Sequence, residues 1–387
     1  MSRICSVAYI TNAPEMSGIG VRAANILLEL RKSADLVVTH FHIDGESGTL
    51  SRDDVVIAQV KKWPGILGSK TITWIRLGYL LRRHLVDFDI VHASNQTLSF
   101  IRPRVSFVVT VHDIIELADP QSGFARFVAK YLYRGIRQAG MIVAVSEFTK
   151  QELVSRLGID ENTIRVSHNG VGSEFAQIEN FAASIGYLSL RRELRLAPHD
   201  KVVLYVGSDH PRKNVVGAMR AFAAASASVP QLVFVKIGAP GLAAGRVTTL
   251  DAIESLGIRN SVRIIDTVSD SRLNELYNLA DVLLFPSQYE GFGLPPLQAM
   301  AAGTPVVTTK ATSLPEVVGE AALVCSVGDD ECLRVSLETI LQDSAVARKL
   351  QQAGLTQAKK FTWQQAAKVV EDSYVELSAV VRPTSSI

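Results

Sequence analysis

Short apolar runs rich in Val and Ile recur along the chain, and between them lie longer stretches in which apolar residues return every three or four positions. The first series of runs is Ser6–Ile10, Leu36–His40, Ile90–His92, Ser106–Val111 and Met141–Val145. The second is Val202–Val206, Leu232–Ile237, Val262–Ile265, Val282–Phe285, Pro305–Thr308 and Ala322–Cys325. Runs this short, separated by helical patterns, predict parallel strands covered on both faces. Gly170–Val171–Gly172 closes the first series, and a polar helical segment, Ser189–Leu196, opens the second. The pattern predicts an α/β protein of two doubly wound domains, joined between Gly172 and Pro198 and divided here into 1–180 and 181–362. Such domains present loops at the carboxyl ends of their strands, and a ligand is expected in a cleft between the two.

Composition narrows the classes. A chain of 387 residues has room for two cores, since single cores stop growing at roughly 250–300 residues. Apolar residues make up 47% and charged residues 20%, and no run reaches the ~18 apolar residues of a membrane span. A net charge of +2 argues against a nucleic-acid binder driven by bulk charge. Residues 1–170 carry 20 Lys and Arg against 16 Asp and Glu, so the first half is the more basic. Cys5, Cys325 and Cys332 show no metal-ligand spacing, so neither a zinc site nor a disulfide framework is expected, and no metal is assigned. A reducing cytosol suits them, and the first residues lack the pattern of a secretory signal.

Three loops carry candidate chemistry. Gly18–Ile19–Gly20–Val21–Arg22–Ala23 matches G-x-G-x-x-A before a helical pattern, with Asp44 at the distance a dinucleotide site wants. Thr11–Ser17 intervenes between strand and first glycine, however, whereas the dinucleotide motif keeps its glycine in the turn itself. Gly18 and Gly20 are therefore read as a ligand loop offering backbone N–H groups rather than as a nicotinamide site. In Gly207–Ser208–Asp209–His210–Pro211–Arg212–Lys213–Asn214, two cations stand at a helix start, where cations are unfavourable unless an anion is bound. That predicts a diphosphate site at Arg212 and Lys213. The third loop, Phe285 to Met300, sets Glu290 beside Gly291, Phe292, Gly293 and Leu294 at a proline-led helix start, with Gln298 about one turn inside.

This third loop resembles the signature of the retaining glycosyltransferases of family 4, which have the GT-B fold of two facing Rossmann-like domains. Glu290 falls at the first position of the family's E-x7-E motif, and the second position is Gln298 instead of glutamate. Val111–His112–Asp113, Ser146–Thr149, Asn169–Val171 and Thr267–Val268–Ser269 are similar to further landmarks in the same order. Phe361–Thr362–Trp363 introduces a pattern resembling the terminal helix, about 363–387, that packs back on the first domain. The resemblance implies transfer of a hexosyl group, mannose or glucose, from a nucleotide-diphospho-sugar to a sugar or lipid-linked saccharide, with retention and without a cofactor or metal.

By the same resemblance the first domain binds the acceptor and the second the donor. Arg212 and Lys213 would hold the diphosphate, while Thr267 and Val268 would pack on the base. Gly291–Leu294 and Glu290 would meet the sugar and phosphates, and His112 a sugar hydroxyl. Gln298 would meet the ribose with a single acceptor oxygen where glutamate has two. An epimerase or a donor-binding pseudoenzyme of the same fold is the alternative that Gln298 keeps open.

One further segment carries charge. From Val55 to Val86 there is no acidic residue, yet Lys61, Lys62, Trp63, Lys70, Trp74, Arg76, Arg82 and Arg83 occur there. Trp74, Leu77, Leu81 and Leu85 share one helical face, which suits either packing on the sheet or peripheral contact with an anionic membrane from the cytoplasmic side, through 57–85.

Overall fold

The computed structural model describes residues 5–14, 17–61, 70–118, 123–241 and 243–380. The chain forms two compact units: the first runs through Gly170 and takes in the segment from Trp363, and the second is Val171–Thr362. The division expected after residue 180 thus falls earlier. Residues 171–180 are tied into the second unit, where Ala176 N–H donates to Asn274 Oδ1 at 3.1 Å and Ile178 N–H to Asn278 Oδ1 at 2.7 Å.

The first unit is built on eight strands: β1 (Cys5–Thr11), β2 (Leu36–Asp44), β3 (Thr49–Arg52), β4 (Val55–Gln59), β5 (Ile90–Ala93), β6 (Ser106–Val111), β7 (Met141–Ala144) and β8 (Ile164–Val166). Their order is β4-β3-β2-β1-β5-β6-β7-β8. All five runs of the first series are parallel strands, with Val7 beside Val38 and Ile90. The apolar side chains of the runs in β1, β5, β6 and β7 are buried between layers, whereas in the run on β2 Val37 is exposed. The sequence pattern does not announce β3 and β4, an antiparallel edge hairpin whose turn holds Asp53 and Asp54 at φ 43° and 67°. The helix Trp363–Val380 buries Trp363, Ala366, Ala367, Val370, Tyr374 and Leu377, one face at helical spacing. Its Tyr374 hydroxyl lies 2.6 Å from His92 Nδ1 on β5, so it is an integral part of the first unit. Residues 381–387 of that expected helix lie outside the described residues.

The second unit holds β9 (Lys201–Val206), β10 (Leu232–Ile237), β11 (Val262–Ile265), β12 (Val282–Phe285), β13 (Val306–Thr309) and β14 (Leu323–Cys325). All are parallel, in the order β11-β10-β9-β12-β13-β14. β9 and β12 are central, so the turns after them sit side by side at the carboxyl edge. Phe222 and Phe234 meet edge to face at 5.2 Å in the core beneath. Cys325 and Cys332 are joined by a disulfide, which corrects the expectation of unpaired thiols. The end of β14 and the first turn of the helix Asp330–Gln342 bring their Cα atoms to 5.7 Å, within bridging range.

Candidate active site

In the second unit the turn after β9 and the loop after β12 close on one another. Pro211–Lys213 forms a single helical turn, and Asn214, at φ 51°, caps the helix Val215–Ala225 by accepting from Gly217 N–H. Tyr205 donates its hydroxyl to the Lys213 carbonyl at 3.0 Å, and Gln288 N–H donates to the Arg212 carbonyl at 2.7 Å. The two cations therefore project from a braced backbone. Both meet Glu290: Lys213 Nζ lies 2.5 Å from Oε1, and Arg212 Nη1 lies 3.3 Å from Oε2 and 2.9 Å from the Tyr289 carbonyl. Glu290 is buried, which alone would raise its carboxyl pKa, but Lys213 and Arg212 more than offset this and hold it low. Two cations against one carboxylate leave one positive charge, a fit for an anion.

Glu290 sits on a rigid loop. Its N–H donates to Thr312 Oγ1, and its carbonyl accepts from the hydroxyls of Thr312 and Ser313. Gly293 begins the helix Leu294–Ala301 at φ 115°, and a Cβ there would lie 2.7 Å from Leu314 Cδ2, so only glycine suits the position. Pro295 and Pro296 carry no N–H. The donors this helix start can offer a ligand accordingly include the backbone N–H groups of Gly291, Gly293 and Leu294. The Phe292 ring itself is core, edge to face with Phe361 at 5.8 Å. Gln298 stands one turn inside, as expected, but its Oε1 already accepts from the Tyr277 hydroxyl at 3.2 Å. That leaves Gln298 its amide N–H₂ and the second lone pair of Oε1 to offer a ligand. Thr267 is exposed and Val268 half-buried in the loop after β11.

Sequence reasoning missed the charge network under this edge. Asp209, with its side chain fully buried, lies 3.1 Å from Lys236 Nζ and 2.7 Å from Arg246 Nε, and accepts from Thr249 Oγ1 at 2.9 Å. Arg246 continues to Asp266, next to Thr267, at 2.8 Å. Burial lowers the Lys236 pKa, opposed by Asp209. The available signal was Lys236 itself, a cation inside a strand whose other residues are apolar.

In the first unit the glycines are placed differently from the expectation. The helix Gly18–Leu30 starts at Gly18, and Ser17 caps it by accepting from Gly20 N–H at 3.0 Å. Gly20 N–H is thus engaged within the fold, since a helix start must satisfy its own donors. His112 follows β6 and is buried, with Nε2 3.0 Å from the Ser94 carbonyl. A carbonyl only accepts, so Nε2 carries the proton and Nδ1 keeps a lone pair. Burial, then the Arg22 charge, lowers the His112 pKa to about 3, so the ring is neutral. Arg22, which the sequence analysis did not single out, is buried with its guanidinium 2.8 Å from both Asn169 Oδ1 and Ser167 Oγ.

The apolar stripe considered for membrane contact is taken up within this unit. Leu77, Leu81 and Leu85 are buried in its core and Trp74 packs against them, so that face is covered by protein. Lys62 and Trp63 lie outside the described residues. Among the described residues no helix is long and apolar enough to cross a membrane.

Comparison with known proteins identifies the family and the fold. The family model of glycosyl transferases group 1 matches residues 188–357, and that of glycosyltransferase family 4 matches 16–175. The chain is 31% identical over 305 residues to the serotype-specific mannosyltransferase WbdA of Escherichia coli, covering 76% of this chain but 36% of that protein. It therefore spans about a third of the length of that relative. It is 30% identical to the O-antigen chain mannosyltransferase B of Escherichia coli, with 74% of each chain covered. Two solved structures share its GT-B fold. Sucrose-phosphate synthase from Thermosynechococcus elongatus superposes at a TM-score of 0.77 with 19% identity, covering 97% of this chain and all of that one. Anabaena Alr3699/HepE in complex with UDP and glucose does so at 0.75 with 17% identity, covering 96% of this chain and all of that one. With both models matched in chain order and a relative aligned over three quarters of its length, the protein belongs to the glycosyltransferases, group 1 in its second half and family 4 in its first.

Proposed function

We propose that the protein transfers a hexosyl group, mannose in the first place, from a nucleotide-diphospho-sugar to a saccharide or lipid-linked saccharide, with retention, in polysaccharide biosynthesis. The mannosyltransferase names of two relatives support the choice of sugar. The observation that carries the reading is the convergence of Arg212, Lys213 and Glu290 beside the glycine-led helix start. Breaking the bond between anomeric carbon and diphosphate builds negative charge on the leaving group. Arg212 and Lys213, with the N–H groups of Gly291, Gly293 and Leu294, supply the countercharge, so no divalent ion is needed in that role. When a diphosphate draws the cations, Glu290 is released towards the donor sugar. Neutral His112 accepts a hydrogen bond from a sugar hydroxyl through Nδ1, which is a binding role and not general base catalysis.

Thermal shifts with UDP, GDP and ADP, each with and without a divalent metal, test this. Stabilisation by one nucleoside diphosphate, independent of metal, is the expected result, and no stabilisation by any of them overturns the donor assignment. The Tyr277–Gln298 hydrogen bond favours one second reading, a sugar-nucleotide epimerase or donor-binding relative with altered ribose contacts. Donor consumption that requires an added acceptor rules it out.

A further inference from the structure

The second unit has a cavity of about 420 Å³ at the amino ends of β12 and β13, where Asp281 and Pro305 lead into the strands. Glu290 and its cations follow the carboxyl end of β12, so the cavity lies at the other edge of the same sheet. Its size falls within the roughly 300–1,000 Å³ of small-molecule sites. Phe181, Pro305 and Ala347 give it apolar walls, and Gly303, at φ 80°, adds bare backbone. A Cβ on Gly303 would stand 3.3 Å from Gln351 Nε2 and 3.5 Å from Gln177 Nε2, so two carboxamides from distant segments converge there.

Neither of those carboxamides has a hydrogen-bond partner among the described residues. Asn180 begins the turn Phe181–Ala183 without capping it, which leaves a third uncommitted carboxamide at the same cavity. Where the fold itself needs an amide it pairs one: Asn278, in the same wall, donates to the Ala176 carbonyl at 3.0 Å and accepts from Ile178 N–H at 2.7 Å. The lining carries one cation, Arg348, and one acid, Asp281, so its charges balance. Arg348 forms no ion pair among the described residues, while Asp281 accepts from Val202 N–H at 2.7 Å. A phosphate site would gather cations and exclude a carboxylate. A carboxamide both donates and accepts, as a hydroxyl does, so three of them beside a guanidinium match a ligand rich in hydroxyls and without charge. The apolar walls suit the C–H face of a sugar ring.

We propose that this cavity is a second carbohydrate site, which binds an uncharged saccharide through Gln177, Asn180, Gln351 and Arg348. In an enzyme that builds a polysaccharide, the reading on which this inference rests, the site holds a stretch of the polymer and raises its local concentration.

The test is calorimetric titration and hydrogen exchange on the intact protein without nucleotide, with mannotetraose, maltotetraose and inorganic phosphate as probes. A tetrasaccharide should bind and protect 177–182, 302–305 and 347–351. Gln177→Leu and Gln351→Leu keep the bulk but remove the hydrogen bonds, and each should weaken that binding about fivefold. Lys213→Ala should leave it unchanged, and unaltered melting temperatures certify that the variants fold. The proposal is overturned if neither tetrasaccharide protects these segments, if protection is confined to the first unit, or if both leucine variants bind as the wild type does. Protection by phosphate alone also overturns it and makes the cavity an anion site. Stabilisation by a nucleoside diphosphate is read separately, so failure here leaves the transferase reading standing.

Discussion

At the scale of single residues the site turns on Glu290 and its two cations. Lys213→Ala should weaken nucleoside diphosphate binding by roughly tenfold or more, the loss of one charge-assisted contact. Glu290→Gln should keep that binding or strengthen it, since it frees both cations, while turnover falls; calorimetric titration beside initial rates separates the two. Equal binding by the wild type and Lys213→Ala would remove the turn from the site. Burial, with the neighbouring Arg22 charge, also holds the pKa of His92 and His112 near 3. An unfolded histidine titrates near ~6.5, so between these values the unfolded chain binds protons that the folded chain refuses. Stability should therefore be full above about pH 6.5 and fall as the pH drops, by about 2–3 kcal/mol for each ring at pH 4.5. Urea unfolding at pH 7.5 and 4.5 should show a smaller difference in His92→Gln than in the wild type; an equal difference refutes the assignment.

At the scale of elements, strands were legible where both faces are buried, because Val and Ile runs have no other use in a doubly wound sheet. The run Ser106–Val111 coincides with β6. The β3–β4 hairpin was not legible: it is an edge, Val55 and Val56 are exposed, and its turn rests on two aspartates at positive φ instead of glycine. The loops of the candidate site were legible from glycine, proline and charge spacing. Their partnerships were not, since Glu290 meets Lys213 across 77 positions and Gln298 meets Tyr277 across 21. Beneath those loops, the bond from Asp209 to Lys236 ties the turn after β9 to β10. Lys236→Met leaves the Asp209 carboxylate with Arg246 and the Thr249 hydroxyl and should cost about 3 kcal/mol, read as a lower urea midpoint. Nucleotide affinity should fall with it as the Arg212 turn loosens. Full affinity in that variant would show that the turn needs no such brace.

At the scale of the molecule, two doubly wound domains followed from two series of strands, while the GT-B architecture and the terminal helix that returns to the first domain followed from the family resemblance. The position of the division was misjudged because residues 171–180 form no strand or helix pattern, and only their hydrogen bonds to Asn274 and Asn278 assign them. Hydrogen exchange with a nucleoside diphosphate should protect 207–214, 266–268 and 290–298; protection confined to 18–23 would move the donor to the first unit. The first unit is also discontinuous in sequence, since the helix that bonds His92 through Tyr374 lies after the whole of the second. During synthesis at about 5–20 residues per second, the ribosome needs roughly 10–40 s to make 171–362 before that helix exists. Throughout that interval the apolar seat for Val370 and Tyr374 stays bare on the nascent chain, a binding surface for chaperones. A premature stop just before Trp363 would leave it so for good, making loss of the last two dozen residues a defect of the first-made unit.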